Sequence, residues 1–422
     1  MVSLIADLKA RGLVHDSTDE SQLQARLDEQ PIGVYVGFDP TADSLHVGHL
    51  LGQLMLRRFQ LAGHRPFPLA GGATGMVGDP SGRSEERNLL DPDTLGHNVL
   101  RISKQLERLL DFSPGPYSAT LVNNADWTHS VGVLEFLRDV GKHITVNQMM
   151  AKESVKNRLS GEQGLSFTEF SYMLLQANDF RELCQHHDVE LQMGGSDQWG
   201  NITTGIDLIR KTLSRPAFGL TWPLVTKSDG TKFGKTADGA VWLDPDRTSP
   251  YQFRQFWVQQ SDADAIEFLR KFSLSELDVI EALIKTHQQA PEKRTAQRTL
   301  AQEMTALVHG PQSAHAVEAA ADVLFGANPL GATAEVLAVV AAEVPSSQQS
   351  LTTIADPIAM LVACGLATSN ADARRTISQG GVKVNGETIS LETNVGNMTL
   401  IQGRWLLVKK GKTNYHLLEI SS

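Results

Sequence analysis

GFDPTADSLHVGHLLG, residues 37–52, is the stretch on which the reading of this chain turns. It follows the apolar run GVYVGF (residues 33–38) and leads into LLGQLMLRRFQLAG (residues 50–63), where Leu50, Leu51, Leu54, Met55 and Phe59 share one helical face. A short apolar strand, a polar turn and an amphipathic helix make the first half of a βαβ unit. The next apolar run, PFPLAGGATG (residues 66–75), supplies the second strand. Both strands end in Gly-containing loops, and an open parallel sheet holds its ligand beyond the carboxyl ends of its strands.

Two histidines, His46 and His49, stand three residues apart in that stretch with Gly48 between them. Metal ligands, an acid/base pair, a helix-start packing motif and anion donors are the alternatives. Zinc requires three or four ligands, and its helical His signature has a spacing of four with a Glu between. Here the spacing is three, and no Glu or Cys is near. A helix beginning near Val47 and capped by Asp43 or Ser44 places both imidazoles at a helix N-terminus, where unpaired N–H groups and a partial positive charge favour an anion such as phosphate. Gly48 allows close backbone approach. A matching source of cations lies in TKSDGTKFGKTADG (residues 226–239), with Lys227, Lys232 and Lys235 among glycines and small polar residues; alone, this segment reads equally well as a solvated loop.

The chain has 422 residues, 41% hydrophobic and 20% charged, which predicts several domains with at least one substantial core. It lacks a run of eighteen apolar residues and a signal-peptide pattern, so the expectation is a cytoplasmic protein without a membrane partner. Cys184 and Cys364 stand far apart and are expected to be buried small hydrophobes. A formal charge of −10 argues against a surface given over to nucleic acid, DNA included, yet residues 351–422 carry seven Lys/Arg against five Asp/Glu.

Beyond residue 248 the texture becomes helical, as in SPYQFRQFWVQQSDADAIEFLRKF (residues 249–272). AAEVPSSQQSLTT (residues 341–353) reads as a linker. SNADARRTISQGG (residues 369–381) reads as a short helix capped by Ser369 and stopped by Gly380, followed by a hairpin turning on Asn385-Gly386. The expected divisions are 1–220, 221–247, 248–325, a linker over 326–353, and 354–422.

HVGH resembles the HIGH signature of class I aminoacyl-tRNA synthetases, and KFGKT (residues 232–236) resembles their KMSKS loop. YVGFDPTADSLHVGHL, GGATGMVGDPSGR, TEFSYMLLQANDF, MGGSDQWGNITTG and DGTKFGKTADGAVWLDP, in that order, are similar to segments of the bacterial tyrosyl-tRNA synthetases. The resemblance implies an α/β chain: a Rossmann-like parallel-sheet catalytic domain, an α-helical anticodon-arm domain and a small α+β RNA-binding domain. It implies tyrosine activation by ATP, which arrives with Mg²⁺, then transfer to tRNA-Tyr by a homodimer whose interface resembles FLRDVGKHITVNQMMAKESV (residues 136–155). Neither a tightly bound cofactor nor a resident metal is expected.

By the same resemblance His46, His49, Lys232, Lys235 and Thr236 act on the phosphates, with Arg83 and Arg87 as further cations, Arg83 standing where relatives often carry Lys. Tyr35 and Asp179 take the tyrosine hydroxyl; Asp79, Tyr172 and Gln176 take its ammonium. Gln192 and Gln198 complete the pocket, while Gly37, Asp39, Gly48 and Asp197 adjoin the nucleotide. Val36 stands where some relatives have Cys, so that ribose contact is lost. Arg374, Arg375 and Lys383 face tRNA phosphate. The spacing adds independent support, since Tyr172, Gln176 and Asp179 fall at i, i+4 and i+7 of one helix. Rivals to this reading are the tryptophan enzyme, a small-molecule nucleotidyltransferase and a noncatalytic RNA-binding relative.

Overall fold

The computed structural model describes residues 3–81, 89–160, 164–231, 233–236 and 239–421, with backbone alone at 235–236. Two compact units emerge: Met1–Ser249 with Phe256–Met304, and Pro250–Gln255 with Thr305–Ser422.

Five parallel strands organise the first unit: β1 (Gly33–Phe38), β2 (Arg65–Ala70), β3 (Val122–Asn123), β4 (Val189–Gly195) and β5 (Phe218–Trp222), in the order β3-β2-β1-β4-β5. Parallel strands covered on both faces are apolar throughout rather than alternating, and every residue of β5 and all but one of β1 are buried. Strand order reverses at β1, which pairs with β2 on one side and β4 on the other, so a crevice opens above its carboxyl end.

The helix Val47–Leu61 follows β1. Leu50, Leu51, Leu54, Met55 and Phe59 are buried as the periodicity predicts, but so are Gln53, Arg58 and Gln60, because the helix is enclosed on more than its sheet face. Its N-cap is not Asp43 or Ser44. His46 takes that position with extended backbone, while Ser44 hydrogen-bonds the Leu45 carbonyl and Asp43 pairs with Arg247. The chain stays extended through Leu45 because Leu45 and Val47 bond to the Val241–Leu243 segment, which delays the helix past both expected caps.

The helix Phe167–His187 is started by Ser166, whose hydroxyl accepts from Glu169 N, and stopped by Asp188 at φ 52°. Its first turn is anchored by Glu169, paired at 2.5 Å with Arg158 of the Glu153–Leu159 helix, both side chains 1% exposed. Two further strands, β6 (Lys235–Thr236) and β7 (Gly239–Ala240), pair antiparallel.

The second unit centres on β8 (Ser346–Ser350), β9 (Val382–Val384), β10 (Glu387–Thr388), β11 (Trp405–Lys410) and β12 (Asn414–Ser421), ordered β10-β9-β11-β12-β8. The helix Asn370–Ser378 is capped by Ser369 and followed by Gly380 at φ +67°, as expected. Asn385 (φ 48°) and Gly386 (φ +85°) form the turn between β9 and β10. One face buries Met360, Leu361, Ile377, Val382, Val384 and Val408; a separate cluster joins Val336, Leu337, Val340, Leu407, Tyr415 and Leu417.

Two organisational expectations need correction. Residues 326–353 are not a linker: they contain the helix Ala334–Glu343 and β8, which pairs parallel with β12 from Leu417↔Ser346 to Ser421↔Ser350. Ser and Gln have little intrinsic β preference, but an edge strand with one hydrogen-bonding partner tolerates them. Nor does 248–325 form its own compact unit, for the division falls inside the helices Pro250–Val258 and Thr295–His309. The change of texture at 248 marks a change of secondary structure, and the helical stretch that follows is shared between the two units. Cys184 and Cys364 are buried free thiols. No helix among the described residues is long and apolar enough to cross a membrane.

Removing one partner of the buried Arg158–Glu169 pair strands the other charge. Glu169→Ala is expected to lower the unfolding free energy by about 3–5 kcal/mol, measured by denaturant titration.

Candidate active site

The carboxyl ends of β1 and β4, the start of the Val47–Leu61 helix and the inner face of the Phe167–His187 helix enclose a cleft of about 410 Å³. Tyr35, Gly37 and Asp39 enter from β1 and the loop after it; His46, Gly48 and His49 enter from the helix start. Asp79 comes from the loop after β2, and Tyr172, Gln176 and Asp179 from one helical face, with Asp197 and Gln198 following β4. Twelve dispersed positions singled out in the sequence therefore converge on one cleft. Gln192 is buried beside it, in register with Tyr35 on the neighbouring strand.

His46 Nδ1 accepts from Gly48 N at 3.0 Å, and His49 Nδ1 accepts from His46 N at 3.2 Å. The rings stack with centroids 3.9 Å apart. A Cβ on Gly48 would lie 2.7 Å from His46 Cε1, so glycine is what lets this ring fold over the first turn. An accepting Nδ1 carries no proton, so each neutral ring bears its hydrogen on Nε2. The pair thus closes its own helix end and retains the donor chemistry that an anion requires.

At the opposite end, Asp179 accepts from Asn124 Nδ2 at 3.0 Å and Trp127 Nε1 at 2.8 Å. Burial pushes its carboxyl up to about 7, against the lowering effect of these two bonds. The hydroxyl of Tyr35 is buried without a hydrogen-bond partner among the described residues, and burial, then Asp179, raises its ionisation well above the usual range. Asn124 also donates to Thr74 Oγ1 at 3.0 Å, Thr74 to Asp39 Oδ1 at 2.8 Å, and Tyr172 to Asp39 Oδ2 at 2.9 Å. The Tyr172 proton is thereby committed to Asp39, which leaves its oxygen as an acceptor.

Between these ends Gln198 organises the wall. Its Nε2 donates to Asp79 at 2.8 Å, and its Oε1 accepts from Gln176 at 3.3 Å and Asn201 at 3.2 Å. Burial, followed by the nearby Asp79, raises the Asp197 carboxyl. Asp39, Asp79, Asp179 and Asp197 give the cleft a carboxylate-rich lining suited to an ammonium group, whereas the first turn of the histidine helix carries no acid.

Lys232, Arg83 and Arg87 lie outside the described residues, as do the side chains of Lys235 and Thr236. Among the described residues no group of three His, Cys, Asp or Glu is placed to hold a metal. Arg374 and Arg375 are exposed on the Asn370–Ser378 helix, but the structure does not gather Lys383 with them. Val382 and Val384 share a core with Ala373 and Ile377 of that helix, so Lys383, between them, lies on the opposite sheet face, across from Lys409. Sequence reasoning missed Asn124, Trp127 and Thr74. The one available signal was NNADW (residues 123–127), polar residues just beyond the carboxyl end of a strand.

The family model described as class I tRNA synthetases (W and Y) matches residues 27–326, and a tyrosine-tRNA ligase SYY-like C-terminal domain matches residues 336–418. The chain belongs to the class I tRNA synthetases of this W and Y family. Among its relatives within that class are tyrosine-tRNA ligases: that of Roseiflexus castenholzii is 48% identical over 430 residues, covering 100% of both chains, and that of Geobacillus stearothermophilus is 47% identical, covering 99% of both. A crystal structure of a C-terminally truncated Aspergillus nidulans mitochondrial tyrosyl-tRNA synthetase superposes with a TM-score of 0.70 at 33% identity, over 77% of this chain and 95% of that one.

The buried Asp179 carboxyl carries a consequence for stability. Its ionisation is raised from 3.8 to about 7 by folding, so between these values the folded chain holds a proton that the unfolded chain has released. Stability therefore falls as pH rises through this window. Asp179→Asn should lose this contribution and show a flatter decline of the thermal midpoint between pH 5 and pH 8; equal declines would refute the assignment.

Proposed function

We propose that the chain is a tyrosine-tRNA ligase, joining tyrosine to ATP as tyrosyl-AMP with release of pyrophosphate and then passing tyrosine to the 3′-terminal ribose of tRNA-Tyr. The observation that carries this reading is the floor of the cleft. The unpartnered Tyr35 hydroxyl and the Asp179 carboxyl are both buried there, and a phenol hydroxyl brought between them can bond both. An indole N–H supplies only a donor, which favours tyrosine over tryptophan.

With the phenol so held, the substrate ammonium falls to Asp79, Gln176 and the Tyr172 oxygen, with Gln198 placing Asp79. The tyrosine carboxylate attacks the α-phosphorus, and pyrophosphate departs. The protein supplies no nucleophile, so catalysis rests on orientation and on donors aimed at developing phosphate charge. His46 and His49 supply Nε2–H donors from the helix end, with Lys232, Lys235 and Thr236 acting on the pyrophosphate. Asp197 serves the ribose, with Gly37, Asp39 and Gly48 beside the nucleotide, and Mg²⁺ arrives on ATP. In the second step the terminal ribose hydroxyl attacks the tyrosyl carbonyl, and AMP leaves.

Assembly as a homodimer is supported by an exposed apolar surface: Leu134 is 81% exposed, Phe167 76% and Val133 73%, with Val146 and Met150 also exposed nearby in sequence. Arg374 and Arg375 serve tRNA phosphate, with Lys383 and Lys409 forming a second basic site. A cytoplasmic location fits this work.

Pyrophosphate exchange with ATP should depend on tyrosine rather than tryptophan, and purified tRNA-Tyr should be charged; faster exchange with tryptophan would overturn the reading. His49→Ala should slow adenylate formation about 100-fold with tyrosine affinity nearly unchanged, resolved by pre-steady-state kinetics. Tyr35→Phe should narrow the preference for tyrosine over phenylalanine by about 3- to 10-fold, read from the two kcat/KM values.

A further inference from the structure

Phe233 sits inside the lysine-bearing segment KFGKT yet is only 8% exposed. Its ring lies in a cage of four aromatic residues, with centroids 5.5 Å from Phe256, 5.7 Å from Trp257, 4.9 Å from Phe268 and 5.2 Å from Phe272. A loop that needed only to present lysines would have no reason to bury a phenyl ring this thoroughly. The next residue, Gly234, has φ +81°, and a Cβ there would stand 2.8 Å from Val47 Cγ2 and 3.4 Å from Gly48 N. The segment is thus pressed against the first turn of the histidine helix at a point only glycine tolerates. Backbone bonds complete the attachment: Val241 N donates to Gly234 O at 3.1 Å, and Val47 N to Val241 O at 2.9 Å.

The cage is tied to the same helix at its far end. Arg58, buried near the C-terminus of Val47–Leu61, donates to the carbonyls of Lys271 and Ser273, which close the helix bearing Phe268 and Phe272. Arg11 adds a donor to Ser273 O at 3.2 Å. One helix therefore carries the histidines at its start and, at its end, holds the cage that fixes the lysine segment.

We propose that Phe233 is a positioning residue for adenylate formation: its ring in the aromatic cage, with Gly234 against Val47, sets where β6 begins and hence where Lys235 is delivered relative to His46 and His49. The inference rests on the ligase reading, because the rate it governs is pyrophosphate exchange. Displacement of a catalytic group by about 1 Å can cost about 100-fold in rate. Phe233→Ala should lower the turnover of tyrosine-dependent exchange by about 10- to 100-fold while the KM for tyrosine changes little. Because Phe233 acts through Lys235, Phe233→Ala combined with Lys235→Ala should be no slower than Lys235→Ala alone.

Gly234→Ala provides a second arm that leaves the cage intact, should the truncated ring cost too much stability; it should show the same turnover loss and the same non-additivity with Lys235→Ala. Losses that multiply in the double variants, or a tyrosine KM that rises in step with the fall in turnover, would overturn the proposal. So would folded variants with wild-type turnover. Absence of tyrosine-dependent exchange in the wild-type chain would instead strike the ligase reading itself.

Discussion

The hydrogen bonding of β1 on both edges is the constraint from which the cleft follows. β2 takes one side and β4 the other, so the connection leaving β1 and the one leaving β4 run to opposite sides and leave an opening over the end of β1. Tyr35, Gly37 and Asp39 then need no special arrangement to converge; the end of one strand delivers all three. The Val47–Leu61 helix begins only once the chain has been drawn along Val241–Leu243, which brings the histidines to the cleft rather than leaving them a turn away.

Charge within the cleft is managed by separation. Carboxylates crowd the amino-acid end, and their proximity is tolerated because each has named donors: Asn124 and Trp127 for Asp179, Thr74 and Tyr172 for Asp39, Gln198 and Ser81 N for Asp79. No such acid stands in the first turn of the histidine helix. The cleft of the proposed ligase thus offers surfaces of opposite character, an acidic one suited to an ammonium group and an acid-free helix start suited to an anion.

Much of this was legible in the sequence because it is written in local periodicity. Tyr172, Gln176 and Asp179 announced a common face by spacing alone, and Asn385-Gly386 announced its turn. The positions that escaped depend on distant partners. Asn124 and Trp127 matter only because Asp179 lies across the sheet, 55 and 52 residues further along the chain. The helix cap was misjudged because a tertiary pairing with Val241 outweighed two better capping side chains. Composition misled at Ser346–Ser350, where a polar run became a strand because β12 offered it a partner. Lys383 was grouped with Arg374 and Arg375 through the family resemblance of the tail, which does not say which side of the sheet each residue occupies.

That polar strand also fixes where the C-terminal module can be cut. A fragment beginning at residue 354 would retain the hairpin, the short helix and both long strands, and it would look complete by composition. It would nonetheless expose the outer edge of β12 along Leu417–Ser421, the stretch that β8 covers, with backbone hydrogen-bonding groups left unpaired beside Leu417, Leu418 and Ile420. Such an edge is a template for the next copy of itself. Five unremarkable residues, SSQQS, therefore act as a guard against self-association, and the working boundary of the module lies on their N-terminal side.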